Sequence, residues 1–351
     1  LFTERMLNST EDKLLAAATD AAENVSHAMN LLEERIDGLT GVVPLPALLS
    51  ADLELPWQSQ PRILYKAAIY LDHVLPAPDY LHNNPKLHVV TFPSDTDGTF
   101  RRAPMLFRYG NVYLPSLALS AVLAKLDKPQ MMLEQDRLSI VDANNKTWTI
   151  PIDDNGSMPV RFYSKNHDPE TIPISAALHS AVDLQRGKNI DPGQLKVNPF
   201  EFKDKILIIG ASAVALNDLK VTPIHSAYPG PRLQASAIAN ILDQTFLRGP
   251  PFFLQWVFTA VLLSFTVGSL LILQNPLSKF LAQPLLLIGY LAAAFLSFKH
   301  HGFMLNMAVP VLLWWLALMD GLVYTTLVER AEKKKIKATL SKYLAQTVMD
   351  K

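Results

Sequence analysis

Three apolar runs toward the C-terminal end constrain this chain more than any other feature. Phe252–Leu273 and Phe280–Phe298 contain no charged residue, and Phe303–Leu327 is interrupted only by Asp320. A bilayer hydrocarbon core ~30 Å thick needs ~20 apolar residues at ~1.5 Å rise each, so every run is long enough to span it. Buried helices of a soluble protein can be equally apolar, but three in succession over short connectors are not expected there. Asn275-Pro276 breaks the first run from the second, and Lys299, His300, His301 and Gly302 separate the second from the third.

Orientation follows from the flanks. Arg330, Lys333, Lys334, Lys335, Lys337 and Lys342 crowd the far side of the third run. Basic residues close to membrane ends stay on the cytoplasmic side. The C-terminus is therefore expected inside and residues 1–250 outside, in a multi-pass protein of a bacterial inner membrane. Asp320 sits on the half of its run nearest the basic flank. It either snorkels to the inner interface or serves helix packing or signalling.

The 49% hydrophobic content averages two regimes, because the first ~250 residues read as an ordinary soluble domain of ample size for a core. With 32 basic against 32 acidic residues the net charge is zero, so the balance points to no partner class, and no nucleic acid is expected. The chain has no cysteine, which excludes disulfides, thiolate metal sites and cysteine nucleophiles. It opens on Leu1-Phe2-Thr3 without a signal-like run, so an outer domain requires a targeting segment before Leu1.

Helices and strands alternate through the outer region, so an α/β domain around a central sheet is expected. A polar helix start at Asn8–Asp12 leads into Leu14, Leu15, Ala18 and Ala21, and Val25–Leu31 reads as a strand. Proline-punctuated segments follow, with Pro46, Pro56, Pro76, Pro78 and Pro85. His88–Phe92 and Val160–Tyr163 are predicted strands, and Leu117–Val122 marks a helix. Leu138–Val141 and Thr147–Ile150 form a hairpin about Asn144-Asn145. Lys205–Gly210, a continuous apolar run ending in glycine, reads as a central strand covered on both faces. Leu233, Ala237, Ile238, Ile241 and Leu242 repeat at helical spacing.

Candidate chemistry is sparse. Asp95-Thr96-Asp97-Gly98 is turn chemistry rather than an EF-hand, since the twelfth loop position is Leu106 instead of glutamate. Arg101 and Arg102 either pair with Asp95 and Asp97 or bind an anionic ligand through their forked guanidinium groups. Gly210-Ala211-Ser212-Ala213 lacks the lysine and further glycines of a phosphate loop. Asp218, Thr222 and His225 lie beyond the predicted strand, where α/β sheets line ligand crevices; they either stabilise the loop or contact a signal. No serine lies on a nucleophile elbow, so no catalytic residue and no metal site is assigned.

These residues carry a resemblance. Phe202–Ala213, then Asn217-Asp218, Thr222-Pro223 and Pro229-Gly230, is similar to the closing motif of CHASE-two domains, the second type of cyclase/histidine-kinase-associated extracellular sensor. Asp97-Gly98-x-x-Arg101-Arg102-x-Pro104 resembles the family's middle motif, and Asp12 to Asn24-Val25 an earlier segment. Arg232 and Gln234 stand where the family usually has an acidic residue and a histidine. The resemblance implies a sensor (1–250), three membrane helices (about 252–273, 280–298 and 303–327) and a cytoplasmic linker (328–351) ahead of an output domain. The tail Lys335–Met349 is similar to the segment entering class III nucleotidyl cyclases, which implies a receptor adenylate cyclase. Its Mg or Mn and ATP would belong to a domain after Lys351, and no cofactor is expected in this chain. Histidine or Ser/Thr kinase outputs share the layout, and an outer domain that only dimerises is the remaining alternative. The expected partners are a second copy, the lipid bilayer and an unidentified outer ligand. Ile336, Leu340, Tyr343 and Leu344, at helical spacing, would form a signalling helix that pairs across the dimer or lies on anionic lipid.

Overall fold

A computed structural model describes residues 17–18, 21–22, 25–32, 69–70, 72–74, 87–109, 112–134, 136–162, 170–186, 195–212 and 218–349. The chain divides into two units, Leu1–Phe246 and Leu247–Lys351.

The first unit mixes short sheets with helices. Strand β1 (His27–Leu32) lies between β3 (Asp72–Val74), antiparallel, and β4 (Leu87–Val89), parallel; β2 is Ile69–Tyr70. Strand β5 (Arg102–Pro104) pairs with β11 (Ser157–Pro159), and β6 (Leu106–Tyr109) runs between β2 and β7 (Val112–Pro115). Strands β8 (Gln130–Leu133), β9 (Arg137–Val141) and β10 (Thr147–Pro151) form an antiparallel meander. Strands β12 (Leu219–Thr222) and β13 (His225–Pro229) form a hairpin, and helices α1 (Leu117–Lys125), α2 (Ile174–Gln185) and α3 (Gly230–Leu242) belong to the same unit.

Local chemistry explains these boundaries. Ser116 caps α1 by accepting from the Leu119 N–H at 3.1 Å. The β9–β10 turn is held by the Asp142 carboxylate, which accepts from the Asn144 and Lys146 amides at 2.9 Å each, while Asn145 takes φ +59°. Alternation along β9 and β10 sends Leu138, Ile140, Trp148 and Ile150 inward. There they meet Leu119 and Val122 of α1 and Ala237 and Ile241 of α3 in the main core. Met29, Leu31, Leu87, Val89, Phe107 and Leu114 make a second, smaller core.

Two predicted strands change. Lys205–Gly210 is neither helix nor strand and joins no ladder among the described residues. Ile206 and Ile208 pack on the main core while Leu207 (56%) and Ile209 (86%) are exposed, so the run is covered on one face only. An unbroken apolar run records that burial is available to it and not how many layers supply it. The Val160–Tyr163 strand pairs earlier, at β11; Val160 N–H still donates to the Arg101 carbonyl, and Tyr163 lies outside the described residues. Of the helix predicted near the N-terminus, the Ala22 N–H donates to Ala18 at 3.1 Å, and Asn8–Leu15 lie outside the described residues. So do the segments bearing Pro46, Pro56, Pro76, Pro78 and Pro85.

The second unit holds three helices long and apolar enough to cross a membrane: α4 (Phe252–Ile272), α5 (Pro276–His301) and α6 (Ala308–Met349). Asn275 caps α5 by accepting from the Leu277 N–H, with Pro276 in the first turn, where its missing donor costs nothing. Gly302, at φ +69°, closes α5. Leu262, Tyr290 and Trp314, one from each helix, form the shared core. Gly321 lies against Leu270 of α4, whose Cδ1 would have to turn aside for a Cβ. Helix α6 does not stop at the end of the apolar run; it continues unbroken through the basic cluster.

Candidate functional site

The middle-motif residues meet one another. Asp95 and Gly98 close a tight turn: Gly98 N–H donates to the Asp95 carbonyl at 2.9 Å, and Gly98 takes φ +77°, which glycine adopts without strain. Arg101 then folds back on the turn, its Nη1 and Nη2 reaching Asp97 Oδ1 and Oδ2 at 2.9 and 2.8 Å. Arg101 Nη1 also donates to Asp95 Oδ2, Arg102 Nη1 to Asp95 Oδ1, and Arg102 Nε lies 3.6 Å from Asp153 Oδ2. The Arg101 guanidinium and the Thr99 amide hold the Asp97 carboxyl well below the usual range, and Arg101 is raised in turn. The pairing alternative is thus the geometry present, and the forks face carboxylates.

Asp218, Thr222 and His225 lie on one hairpin without converging on a common point. Thr222 and His225 close its turn: Thr222 Oγ1 accepts from the His225 N–H at 3.1 Å and donates to the His225 carbonyl at 3.0 Å. His225 Nδ1 accepts from the Ala227 N–H at 3.0 Å. Asp218 sits at the other end, its carbonyl accepting from Gly230 and its carboxylate occupying the space a Gly230 Cβ would need. Gly210 meets the Pro231 ring the same way, so both glycines of the closing motif serve close approach. The middle and closing motifs adjoin: Phe100 N–H donates to the Val221 carbonyl at 2.8 Å, and Lys220 Nζ lies 5.3 Å over the Phe100 ring. Gln234 is buried and donates to the Val90 carbonyl at 3.3 Å.

Two positions that sequence reasoning missed organise the backbone. Asn240 of α3, fully buried, accepts from the Arg161 N–H at 2.6 Å and donates to the Arg161 carbonyl at 3.0 Å. It does for Arg161 what a neighbouring strand would do. Gln255 of α4 brackets Asn306 identically, Oε1 accepting from the Asn306 N–H at 3.0 Å and Nε2 donating to its carbonyl at 2.9 Å. Asn306 in turn caps α6, its Oδ1 accepting from the Ala308 N–H at 3.1 Å. Beside it the Arg248 N–H donates to Gly302, and the Met304 N–H donates to Arg248, both at 2.9 Å. The segment leading into α4 is thereby stitched to the connector that starts α6. The buried face of α3 also carries Gln234 and Ser236, so no local signal singled out Asn240.

Of the predicted signalling helix, Ile336 (65%) and Leu340 (60%) are exposed on α6, and Tyr343 and Leu344 continue its backbone.

A mixed α/β domain followed by three apolar helices and a helical extension defines a membrane-receptor architecture. The CHASE2 domain family matches residues 1–274, and the chain belongs to that family. No curated protein and no solved structure matches it.

Proposed function

We propose that this chain is the sensing and membrane-anchoring part of a homodimeric receptor adenylate cyclase. In this reading residues 1–250 lie outside a bacterial inner membrane, and a domain after Lys351 converts ATP, with Mg or Mn, to cyclic AMP and diphosphate. The observation that carries the reading is the continuity of α6: a single helix runs from the apolar span through Arg330–Lys337 to Met349. Class III cyclases build their active sites between two catalytic domains, so a rigid helix entering each domain can set their geometry. Ile336, Leu340, Tyr343 and Leu344 would pair across the dimer to transmit a rotation or register change. A signal acts only by favouring one of two helix arrangements over the other. Asp97, Arg101 and Arg102, with the hairpin of Asp218, Thr222 and His225 beside them, form the outer surface proposed to receive it.

The test is cyclic AMP formation in cells expressing the receptor extended beyond Lys351, against the same gene stopped at Lys351. Synthesis by the extended form alone supports the reading. Phosphotransfer without cyclic AMP would replace the cyclase with a kinase output. Tags at residues 150 and 340 should be reached from opposite sides of the membrane; reaching both from one side would refute the orientation.

A further inference from the structure

Helix α2 wears its apolar side outward. Ile174 and Leu178 are more than half exposed, and Val182 is exposed with them. The side turned to the rest of the unit carries Ser180 instead, the one buried residue of the helix. Its Oγ donates to the Ala176 carbonyl at 3.1 Å and accepts from the Val197 N–H at 2.9 Å. At ~100° per residue Leu178 stands ~200° round from Ser180, so the aliphatic row points away from that packing. Large aliphatic side chains gathered in one exposed row mark a contact surface.

The row has charged ends of opposite sign. Glu170 lies just before α2, Arg186 caps its C-terminal end, and both are exposed. Acid, Ile174, Leu178, Val182 and base therefore stand four residues apart throughout. A row at that spacing is the ridge by which two helices most often pack. In a two-fold contact residue i meets j and j meets i. With two copies antiparallel about Leu178, Leu178 faces itself, Ile174 faces Val182, and Glu170 at one end lies toward Arg186 of the second copy, twice over. A parallel pair would set Glu170 against Glu170 and Arg186 against Arg186, and like charges across an interface are costly. Charge thus selects the antiparallel contact of this chain with itself.

We propose that α2 packs antiparallel against α2 of a second copy of this chain, centred on Leu178. The proposal rests on the homodimer reading above and adds where in the first unit the copies meet. It uses no residue of the α6 pairing.

The chain has no cysteine, so one introduced thiol is the only thiol. Full-length chain carrying Leu178→Cys or His179→Cys is oxidised in native membranes and the disulfide-linked dimer measured. Helix axes ~8–10 Å apart put facing Cα atoms within the ~7 Å that a disulfide tolerates. His179 is also exposed but lies ~100° round the helix, off the row. Linking should be several-fold greater at 178 than at 179. Chains carrying Ile174→Cys and chains carrying Val182→Cys, expressed together, should link to one another several-fold more than either links to itself. Glu170→Arg or Arg186→Glu, added singly to Leu178→Cys, should cut linking several-fold, and the two exchanges together should restore it. Linking at 178 no greater than at 179, self-linking at 174 above the mixed link, no loss with the single exchanges or no recovery with both would overturn the proposal. So would a Leu178→Cys thiol shielded from a water-soluble maleimide while no dimer forms, since another occupant then covers the row. Absent thiol linking with dimers still captured through lysines of the first unit would overturn this contact alone, and absence of both would overturn the homodimer as well.

Discussion

Replacing Asn240 by alanine isolates the bracket that holds Arg161. The amide is fully buried and makes two hydrogen bonds, of 2.6 and 3.0 Å, to one residue's backbone. Truncation takes both of these bonds from the Arg161 backbone, and the loss of a buried partner costs ~1–3 kcal/mol per group. Arg161 is only half-buried, so water relieves part of this, and the lower half of that range gives about 3 kcal/mol in all. For a unit of this size each kcal/mol lowers the melting temperature by ~2–4 °C, so the expected fall is about 6–12 °C. The measurement is a thermal melt of the full chain in detergent followed by intrinsic fluorescence. Gln244→Ala is the matched control just past the same helix: it removes one exposed bond, 3.0 Å to the Thr147 carbonyl, and should shift the midpoint by no more than about 2 °C. Equal shifts for the two variants would refute the bracket as a determinant of the fold. So would an Asn240→Ala shift below that limit.

Other perturbations separate different causes. Gly210→Ala drives a Cβ into the Pro231 ring and should cost ~1–3 kcal/mol by overpacking, whereas Gly98→Ala meets no neighbour and should cost ~1–2 kcal/mol through its left-handed φ alone, both read as denaturation midpoints. Asp97 is depressed in the folded state, so its pair with Arg101 stabilises the turn above the ordinary aspartate pKa of ~3.9 and weakens as pH falls below it. Asp97→Asn should flatten the decline in melting temperature expected of the parent chain on acidification. Gln255→Ala removes two bonds to Asn306, worth ~0.6 kcal/mol each in a bilayer-spanning protein, and should lower resistance to detergent unfolding by about 1 kcal/mol.

Where a local signal matched a local structure, the sequence was readable. Two charge-free runs and a third interrupted only by Asp320 identified the three apolar helices, and Asn144-Asn145 between alternating strands identified β9–β10. The spacing Leu233, Ala237, Ile241 identified α3. Lys205–Gly210 misled because apolar content is a property of the segment, while the number of layers around it belongs to the rest of the fold. The Arg101–Asp97 pair was legible as one of two alternatives, since four residues of separation put both within reach of a turn. Asn240 was harder: its partner lies 79 residues away, and no motif surrounds it. The Gln255 bracket spans 51 residues and is equally silent in a linear reading.

Those two brackets share a physical logic. A backbone segment that leaves its ladder still needs a donor and an acceptor, and a primary amide supplies both in one plane. At Arg161 the consequence is a fixed loop. At Asn306 it is larger, because that residue also caps α6. The helix has 42 residues, so it is about 63 Å long. A helix is stiff along its axis, and its first turn is held through Gln255 and Asn306 to the start of α4, while Arg248 pairs beside it with the same connector. Displacing the chain just before α4 therefore displaces the N-terminal end of α6. Because no break separates the span from the basic extension, that displacement reaches Ile336 and Leu340 as a rotation or translation of the whole rod. On the proposed cyclase output, a flexible insertion between Leu327 and Arg330 should leave membrane assembly intact while uncoupling outer-domain signals from cyclic AMP formation; unchanged coupling would show that the signal does not travel along α6.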